Sequence, residues 1–339
     1  MTIQNRKKEH VNLTLNEDVN YKKRSGFERF RFQHNALPEV NVKDVNLTGH
    51  LLGRSFTFPL FVSSMTGGYS DAGAVNAQLA SFCERRGLPM GVGSQRAMLE
   101  NRDEMESFSI VRKHAPNAFI AANIGGAQLI GGLDAENAAL LIDSITADAL
   151  IIHLNPLQEL VQPEGDRNFK GISGGISSIL KEIECPVIVK ETGAGISAET
   201  AQKLLQMGVQ IIDVAGAGGT SWAKVENFRD RSKEPLHQFD DWGIPTADCL
   251  IEVAKLKNDF SFELISSGGI RTSADIVKSI ALGADFTASA QPLIKALFEH
   301  GEEGLDTLLD GWMNECRIIL TLLGCERFKD LNSSHLRII

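Results

Sequence analysis

Cysteine is sparse in this sequence and does not occur at the spacing of a metal site. The five cysteines lie far apart and include no C-x-x-C pair: Cys83, Cys185, Cys249, Cys316 and Cys325. This spacing argues against a zinc centre and is typical of reduced thiols in the cytoplasm. Residues 1–30 also lack the apolar core of a signal peptide, and no apolar run approaches membrane-spanning length. We therefore expect a cytoplasmic protein that makes no membrane contact.

Two common nucleotide-binding motifs are absent as well. There is no G-x-x-x-x-G-K-[ST] segment, which excludes a P-loop nucleotide hydrolase. Neither candidate G-x-G-x-x-G motif is complete, because Arg96 replaces the third glycine after Gly91-Val92-Gly93 and Ser221 replaces it after Gly216-Ala217-Gly218. These replacements exclude a Rossmann dehydrogenase.

Net positive charge is concentrated near the N-terminus. The formal net charge of −9 argues against nucleic acid or an anionic membrane as the main partner. Residues 1–35, in contrast, contain eight lysines and arginines against four acidic residues. This basic segment is either a solvated tail or an arm that folds over an anionic ligand.

Short apolar runs that end in glycine or a polar residue recur eight times, at 58–64, 89–93, 118–123, 149–155, 186–190, 210–215, 262–267 and 285–290. Helical patterns separate them, and this alternation predicts an α/β protein, a (β/α)8 TIM barrel with a basic N-terminal extension. A doubly wound sheet is the alternative. We expect one structural domain, with an extension over 1–55 that closes over the site, a barrel over 56–325 and a C-terminal tail over 326–339. Two long connections, 156–177 and 217–247, follow strands four and six on the side where barrels place their chemistry.

Two segments after the seventh and eighth predicted strands have the composition of a phosphate site. They are Ser266-Ser267-Gly268-Gly269-Ile270-Arg271 and Ala288-Ser289-Ala290-Gln291. Glycines let backbone N–H groups approach an anion, a following helix adds a favourable dipole, and Arg271 adds charge. Barrels commonly bind phosphate at these two loops, although the same glycines could serve only to make tight turns.

Lys190 ends an apolar strand and should point into the barrel mouth. A buried ammonium needs an anionic partner or loses its proton, so Lys190 could serve Schiff-base chemistry, phosphate binding or a flavin. The phosphate site nearby favours the flavin, whose reduced ring is anionic. Small hydrogen-bonding groups end or follow other strands around the same mouth: Met65-Thr66-Gly67-Gly68, Ser94, Asn123 and Thr220.

The densest group of chemically active side chains follows the fourth predicted strand. His153, Asn155, Gln158 and Glu159 supply an imidazole, two amides and a carboxylate within one short segment. A single histidine at such a position would more often be a packed core residue, but the cluster favours function. Glu159 alone cannot form an all-protein metal cage, yet it suits Mg²⁺ that keeps its waters and shares phosphate oxygens.

Together these segments resemble type 2 isopentenyl-diphosphate isomerase, and the resemblance covers positions 6 to about 290. The matching segments are Arg6-Lys7-x-x-His10, Met65-Thr66-Gly67-Gly68, Gly93-Ser94-Gln95-Arg96, His153-x-Asn155-x-x-Gln158-Glu159, Lys190-Glu191-Thr192-Gly193, Gly218-Gly219-Thr220-Ser221-Trp222, Asp241-Trp242-Gly243-Ile244-Pro245-Thr246 and Gly268-Gly269-Ile270-Arg271. The glycine-rich pieces alone would fit many flavin barrels, but the combination is specific.

The resemblance implies bound FMN, a reductant such as NADPH, Mg²⁺, and interconversion of isopentenyl and dimethylallyl diphosphate. It implies FMN binding by Met65, Thr66, Gly67, Ser94, Asn123, Lys190, Thr220, Gly269, Ile270, Arg271, Ala290 and Gln291. It implies substrate contacts by Arg6, Lys7, His10, Ser94, Gln95, Arg96 and Gln158, with Glu159 as the metal ligand. Gln158, His153 and Asn155 would be the catalytic residues, acting with reduced FMN. The family typically forms homo-oligomers, tetramers or larger, so we expect a tetramer or an octamer.

Three other functions remain possible from the residues alone. An α-hydroxy-acid oxidase would need a histidine base with an arginine on the substrate carboxylate. An inosinate dehydrogenase would need a nucleophilic cysteine in a barrel loop, and only Cys249, at the start of a predicted helix, comes near this position. A flavin sensor without enzymatic activity would not need the Arg6-Lys7 pair, Arg96 and Glu159 together.

Overall fold

The computed structural model describes residues 3–69, 71–130, 133–230 and 234–339, so part of the predicted connection 217–247 and the first two residues lie outside it. The strands are β1 (Phe30–Phe32), β2 (Gly49–Leu51), β3 (Arg54–Phe56), β4 (Leu60–Val62), β5 (Met90–Gly91), β6 (Ile120–Gly125), β7 (Ala149–Leu154), β8 (Val187–Glu191), β9 (Ile211–Asp213), β10 (Glu263–Ser266), β11 (Phe286–Ser289) and β12 (Leu336–Ile338). The α-helices are α1 (Ile3–Asn16), α2 (Ala72–Arg86), α3 (Arg96–Glu100), α4 (Glu106–His114), α5 (Gly126–Ile130), α6 (Ala135–Ile145), α7 (Pro156–Val161), α8 (Ile172–Glu182), α9 (Ala198–Gln206), α10 (Trp222–Arg229), α11 (Thr246–Ala254), α12 (Ser273–Ala281) and α13 (Gln291–Leu323).

Eight parallel strands close into a barrel in the order β10-β11-β4-β5-β6-β7-β8-β9. Each barrel strand overlaps one of the eight predicted runs, so the predicted (β/α)8 barrel is confirmed. Two strands continue past the predicted ends, β6 to Gly125 and β8 to Glu191. All residues of β4, β6 and β8 are buried, as expected for parallel strands covered by helices.

The strand register aligns three polar side chains at the carboxyl end of the barrel. His153 of β7 lies opposite Lys190 of β8, and Lys190 lies opposite Asp213 of β9. Because parallel strands in a barrel present corresponding residues at one height, these side chains share one side of the mouth.

A β-hairpin closes the opposite end of the barrel. β2 and β3 pair antiparallel and insert Leu51 and Phe56 beneath the barrel interior, where Phe56 packs edge-to-face on Phe119 and Phe286 with ring centroids 6.0 and 5.6 Å apart. The backbone N–H of Leu52 donates to the carboxylate of Glu263. Burial of these large apolar groups, at about 25 cal/mol per Å², holds the hairpin in place.

The predicted extension over 1–55 therefore divides between both ends of the barrel, and only its first part lies at the mouth. α1 packs on α10 and α13 at the carboxyl ends of the strands. β1 instead pairs antiparallel with β12, which ties the segment to the predicted tail over 326–339. α1 thus lies at the mouth, whereas the hairpin β2–β3 buries its apolar side chains under the barrel. Closure of the extension over the site stays a prediction.

The last helix, α13, changes direction at one glycine. α13 starts at Gln291 and includes a non-helical residue, Gly301, with φ of 65° and ψ of −158°. Glycine adopts this left-handed φ without steric cost, so the chain turns there and continues as the amphipathic helix that ends at Gly324. The start of α13 directly follows β11, which puts a helix N-terminus at the barrel mouth.

Candidate active site

A cavity at the carboxyl ends of the strands brings together all but one of the predicted site residues. Those that line it are Arg6, Lys7, His10, Met65, Thr66, Gly67, Ser94, Arg96, Asn123, His153, Asn155, Gln158, Glu159, Lys190, Thr220, Gly269, Ile270, Arg271, Ala290 and Gln291. They come from α1, from every side of the barrel and from the helices that follow the strands. The cavity is the place where a ligand of this protein would bind.

Gln95 is the exception: it is the one predicted substrate contact that does not line this cavity, and its contact with substrate stays a prediction. The Gln95 side chain is fully buried beneath the mouth, where its Nε2 donates to the carbonyl of Leu141 at 3.0 Å and its Oε1 accepts from the backbone N–H of Asn123 at 2.9 Å. The neighbours Ser94 and Arg96 do line the cavity. Consecutive residues in a turn point in different directions, so the shared motif could not distinguish support from contact.

One positively charged region lies at β10 and β11, around Arg271. Its guanidinium donates to the carbonyl of Gly218 at 2.9 Å, to Asn20 Oδ1 at 2.6 Å and to Gln291 Oε1 at 3.2 Å. Burial lowers the pKa of Arg271, so an anion at this position would relieve the cost of enclosing the charge. α12 and α13 both begin beside it, and helix N-termini favour anions.

Two glycines let the loops of this region pack closely. Gly268 and Gly269 have φ of 96° and 77°, in the left-handed region that favours glycine. A Cβ atom at Gly269 would lie 2.7 Å from the carbonyl oxygen of Gly218, and one at Gly268 would collide with the backbone of Gly216. With the guanidinium and the helix starts, this compact cradle fits the phosphate of FMN.

The segment after α1 fastens the N-terminus to this region. The backbone N–H of Tyr21 donates to Gly219 at 3.0 Å, and that of Ser221 donates to Val19 at 2.8 Å. Asn20, between them, forms the contact with Arg271. The predicted arm is thus held by backbone pairing, and its fold over the mouth favours the ligand-covering interpretation over a solvated tail.

A second positively charged region lies across the mouth, where α1 meets the loop after β5. Lys7 Nζ donates to the carbonyl of Ser94 at 2.6 Å and lies 5.2 Å from the ring centroid of Phe108. Burial, with a smaller contribution from Arg6, lowers the pKa of Lys7 to about 7. Arg96 contributes a further guanidinium, paired with Glu100 at 2.9 Å and Asp166 at 3.4 Å.

Glu226 of α10 organises the floor of this second region and was not predicted from the sequence. It is 1% exposed, and its carboxylate accepts from Gln158 Nε2 at 3.0 Å and from Arg229 Nε at 2.7 Å. His10 Nε2 lies 2.9 Å from Oε1 of the same carboxylate, while the His10 ring packs edge-on against Trp222. Burial alone would raise the pKa of Glu226, but His10, Arg229 and Gln158 outweigh it and lower the pKa to about 2.

The amide of Gln158 is therefore oriented from both sides. Its nitrogen donates to Glu226, and its oxygen accepts from Asn155 Nδ2 at 3.1 Å. Asn155 Nδ2 also donates to Glu159 Oε1 at 3.1 Å, and Glu159 Oε2 accepts from the backbone N–H of Asp166 at 2.8 Å. Glu159 lines the cavity, and no group of three or more potential metal ligands occurs among the described residues. This donor set fits a hydrated Mg²⁺ bound to a phosphate better than a metal held by protein alone.

Lys190 has a carboxylate neighbour that the sequence reasoning did not name. Its Nζ lies 3.6 Å from Asp213 Oδ2 and donates to the carbonyl of Glu191 at 2.5 Å. Asp213 Oδ1 in turn accepts from Ser267 Oγ at 2.6 Å. Lys190 thus has the anionic partner that a buried ammonium at the mouth requires.

His153 lies beside Lys190 and is held by Asn123. Its Nδ1 is 2.8 Å from Asn123 Oδ1. Enclosure, together with the charges of Lys190 and Lys7, lowers the pKa of His153 to about 3, so the ring is neutral in the ligand-free protein.

The barrel, the glycine cradle with Arg271 at its last two strands and the lysine at its mouth fit a flavin-binding α/β barrel, and the comparisons with known proteins agree. The FMN-dependent dehydrogenase family matches residues 164–338, just over half of the chain. A flavocytochrome b2 structure with sulfite bound superimposes with a TM-score of 0.70 at 16% identity, covering 97% of this chain and 82% of its own, which supports the fold alone. The chain thus has the fold of the FMN-dependent barrel enzymes.

The relatives with higher sequence identity define a narrower family. The isopentenyl-diphosphate delta-isomerase of Chlorobium limicola is 45% identical over 344 residues, which cover 98% of this chain and 95% of the relative. That of Chlorobaculum parvum is 48% identical over 333 residues, which cover 94% and 92%. The chain belongs to the isopentenyl-diphosphate delta-isomerase family. Within the part of the chain that the structure describes, no helix has the length and hydropathy needed to cross a membrane.

Proposed function

We propose that this protein interconverts isopentenyl diphosphate and dimethylallyl diphosphate, with FMN bound at the barrel mouth and Mg²⁺ on the diphosphate. The observation that carries the proposal is the presence of two separate cationic regions in one cavity. Arg271 and the glycine cradle would hold the cofactor phosphate, while Arg6, Lys7 and Arg96 are left for a second phosphorylated molecule. A substrate with a single carboxylate would not need three cations and the Glu159 carboxylate together.

The residues between the two regions suit the reaction. Moving a double bond requires a proton added at one carbon and another removed two bonds away, through a state with cationic character. Reduced FMN supplies proton transfer and an electron-rich face to such a state when it is bound. Lys190, at the strand end, would stabilise the negative charge of the reduced ring, and NADPH would be the reductant.

The protein's own side chains position the substrate and exclude water. Arg6, Lys7 and Arg96 would neutralise the diphosphate together with the Mg²⁺ held by Glu159. α1 covers the cavity, which limits the access of water that would trap a cation. The Gln158 amide is neither a strong acid nor a strong base, and its fixed orientation supports a role in positioning or proton relay. His153 and Asn155 line the cavity beside it.

The proposal is tested by the stoichiometry of the reductant. Because isomerisation involves no net electron transfer, anaerobic protein should consume about one NADPH per flavin while dimethylallyl diphosphate continues to accumulate, and dithionite should replace NADPH. A yellow purified protein with an FMN spectrum is the first expected result. Product that tracks NADPH one for one without oxygen would identify a redox enzyme instead.

A redox FMN barrel is the second candidate, because the flavocytochrome b2 structure has the same fold. An α-hydroxy-acid oxidase would show flavin reduction by its substrate without NADPH. We expect no such reduction here. We also propose that the protein is cytoplasmic and that it assembles as a homo-oligomer. Sedimentation of the purified protein would measure the oligomeric state.

A further inference from the structure

The position of the hydrogen on the His153 ring is set by its neighbour. Asn123 Nδ2 donates to the carbonyl of Val92 at 3.0 Å, so the amide oxygen of Asn123 is the atom that faces His153 Nδ1. An amide oxygen only accepts, and therefore Nδ1 carries the hydrogen. In the neutral ring the other nitrogen, Nε2, is then an acceptor without a hydrogen.

The orientation of the Asn123 amide is fixed by its surroundings. Asn123 is 3% exposed, and Gln95 holds its backbone on both sides: Gln95 Oε1 accepts from Asn123 N at 2.9 Å, and Gln95 N donates to Asn123 O at 2.8 Å. Turning the Asn123 amide over would place its oxygen against the Val92 carbonyl, with two acceptors facing each other. Gln95 thus has a supporting role for the orientation of His153.

The charged groups nearest the His153 ring oppose a second proton. Lys190 from β8 and Lys7 from α1 are cations that oppose it. The side chains of Gln128 and His153 both lie against Gly125. Asp166 lies behind Gln128, whose Nε2 donates to it at 3.3 Å. The ring is therefore neutral because enclosure and the charges of Lys190 and Lys7 all oppose a second proton.

We propose that His153 takes up a proton from solvent when the diphosphate binds, and that it then contacts a phosphate oxygen through Nε2–H. The inference rests on the proposed function for the identity of the ligand. Phosphate oxygens are acceptors, so they would repel a bare Nε2 and attract a protonated one. The charge of the diphosphate also offsets the repulsion from Lys7 and Lys190, which are the groups that keep the ring neutral.

Calorimetric titration tests the proton uptake. Isopentenyl diphosphate is titrated with saturating Mg²⁺ into the oxidised FMN-bound protein, at one pH in buffers of different ionisation enthalpy. Both proteins compared carry Lys7→Arg, because Lys7 itself would take up protons near neutral pH. One also carries His153→Gln, whose amide donates a hydrogen bond without gaining a proton. Any proton that the substrate itself gains or loses on binding is common to both proteins and cancels in the difference between them.

We expect the protein with His153 to take up about one more proton per diphosphate than the His153→Gln protein. Equal uptake by the two proteins would overturn the proposal. If Lys7→Arg binds too weakly to titrate, ¹⁵N-histidine NMR of the otherwise unchanged protein decides: the Nε2 resonance that is missing in His153→Gln should move from the unprotonated to the protonated range on adding the diphosphate. An Nε2 resonance that stays unprotonated in the bound protein would equally overturn it.

The same preparations, reduced without oxygen, are assayed for dimethylallyl diphosphate. Product formation without proton uptake at His153 would sink this inference and leave the proposed function intact. Proton uptake on diphosphate binding without product formation would confirm the inference and contradict the isomerase.

Discussion

Replacing Glu226 with glutamine tests how far the orientation of Gln158 depends on one buried carboxylate. Arg229 Nε can only donate, so the oxygen of the new amide should turn towards it. The amide nitrogen then faces the nitrogen of Gln158, where two donors meet. Gln158 must rotate, and rotation removes its hydrogen bond from Asn155.

The magnitude follows from the interaction that is lost. A hydrogen bond to a charged group contributes about 1.5–3 kcal/mol, which corresponds to roughly 10- to 150-fold in kcat/KM. We expect Glu226→Gln to lose activity within this range while its FMN content remains normal, since Arg271 and the glycine cradle lie across the mouth. The contact with His10 is weakened as well, so part of the loss should appear in KM through looser packing of α1.

The assay is anaerobic formation of dimethylallyl diphosphate by the reduced protein, with flavin absorbance as the measure of FMN content. Glu164→Gln is the matched control, because Glu164 also pairs with Arg229, at 2.8 Å, but has a side chain 37% exposed to solvent. Solvent-exposed ion pairs contribute little free energy, so the control should change kcat/KM by less than about fivefold. If Glu226→Gln retained kcat/KM within the range of its control, the assigned role of Glu226 would be refuted.

Three further changes address the remaining groups. Glu159→Gln keeps the size of the side chain but should remove most activity and the Mg²⁺ dependence at normal FMN content, and an unchanged Mg²⁺ titration would place the metal elsewhere. Lys7 has a pKa of about 7, so loss of its proton should raise KM as the pH rises through neutrality. Lys7→Arg should flatten this rise. If KM depended on pH in the same way in both proteins, the role of Lys7 would be contradicted. Arg271→Ala should weaken the binding of oxidised and reduced FMN alike by roughly 10- to 150-fold. Lys190→Ala should mainly lower the reduction potential of the bound flavin, which potentiometric titration would measure. If both variants changed the affinity for oxidised and reduced FMN equally, these separate roles would be refuted.

Most of the barrel was predictable because each strand is an apolar run between polar boundaries. The same rule locates the mouth, since parallel strands deliver their C-terminal residues to one end, and the side chains of Lys190 and Arg271 do meet there. The hairpin β2–β3 was missed because each strand has three residues and includes exposed groups such as His50 and Arg54. Such short segments carry no periodicity, and their position is fixed only by the space left under the barrel.

Glu226 and Gln95 mark the limit of reading a site from sequence. Glu226 contacts His10 only because α1 folds back across the barrel, and no local pattern reports a contact between residues so distant in the chain. Gln95 lies inside a matching motif, yet its side chain supports Asn123 from below. A motif thus identified the neighbourhood correctly, whereas the direction of each side chain depended on packing that only the fold supplies.

The acidic groups of the mouth explain how a protein with a net charge of −9 can present a cationic site. Arg96 is paired with Asp166, and Arg6 lies 4.0 Å from Glu164, which also binds Arg229. These pairs hold long, flexible side chains in place before a ligand arrives, so less conformational entropy is lost on binding. The partners of Arg6 and Arg96 are partly exposed and screened by solvent, so exchanging them for a diphosphate with Mg²⁺ costs little. Glu226, in contrast, is buried and fully engaged, which suits a group that stays in place while the others exchange partners.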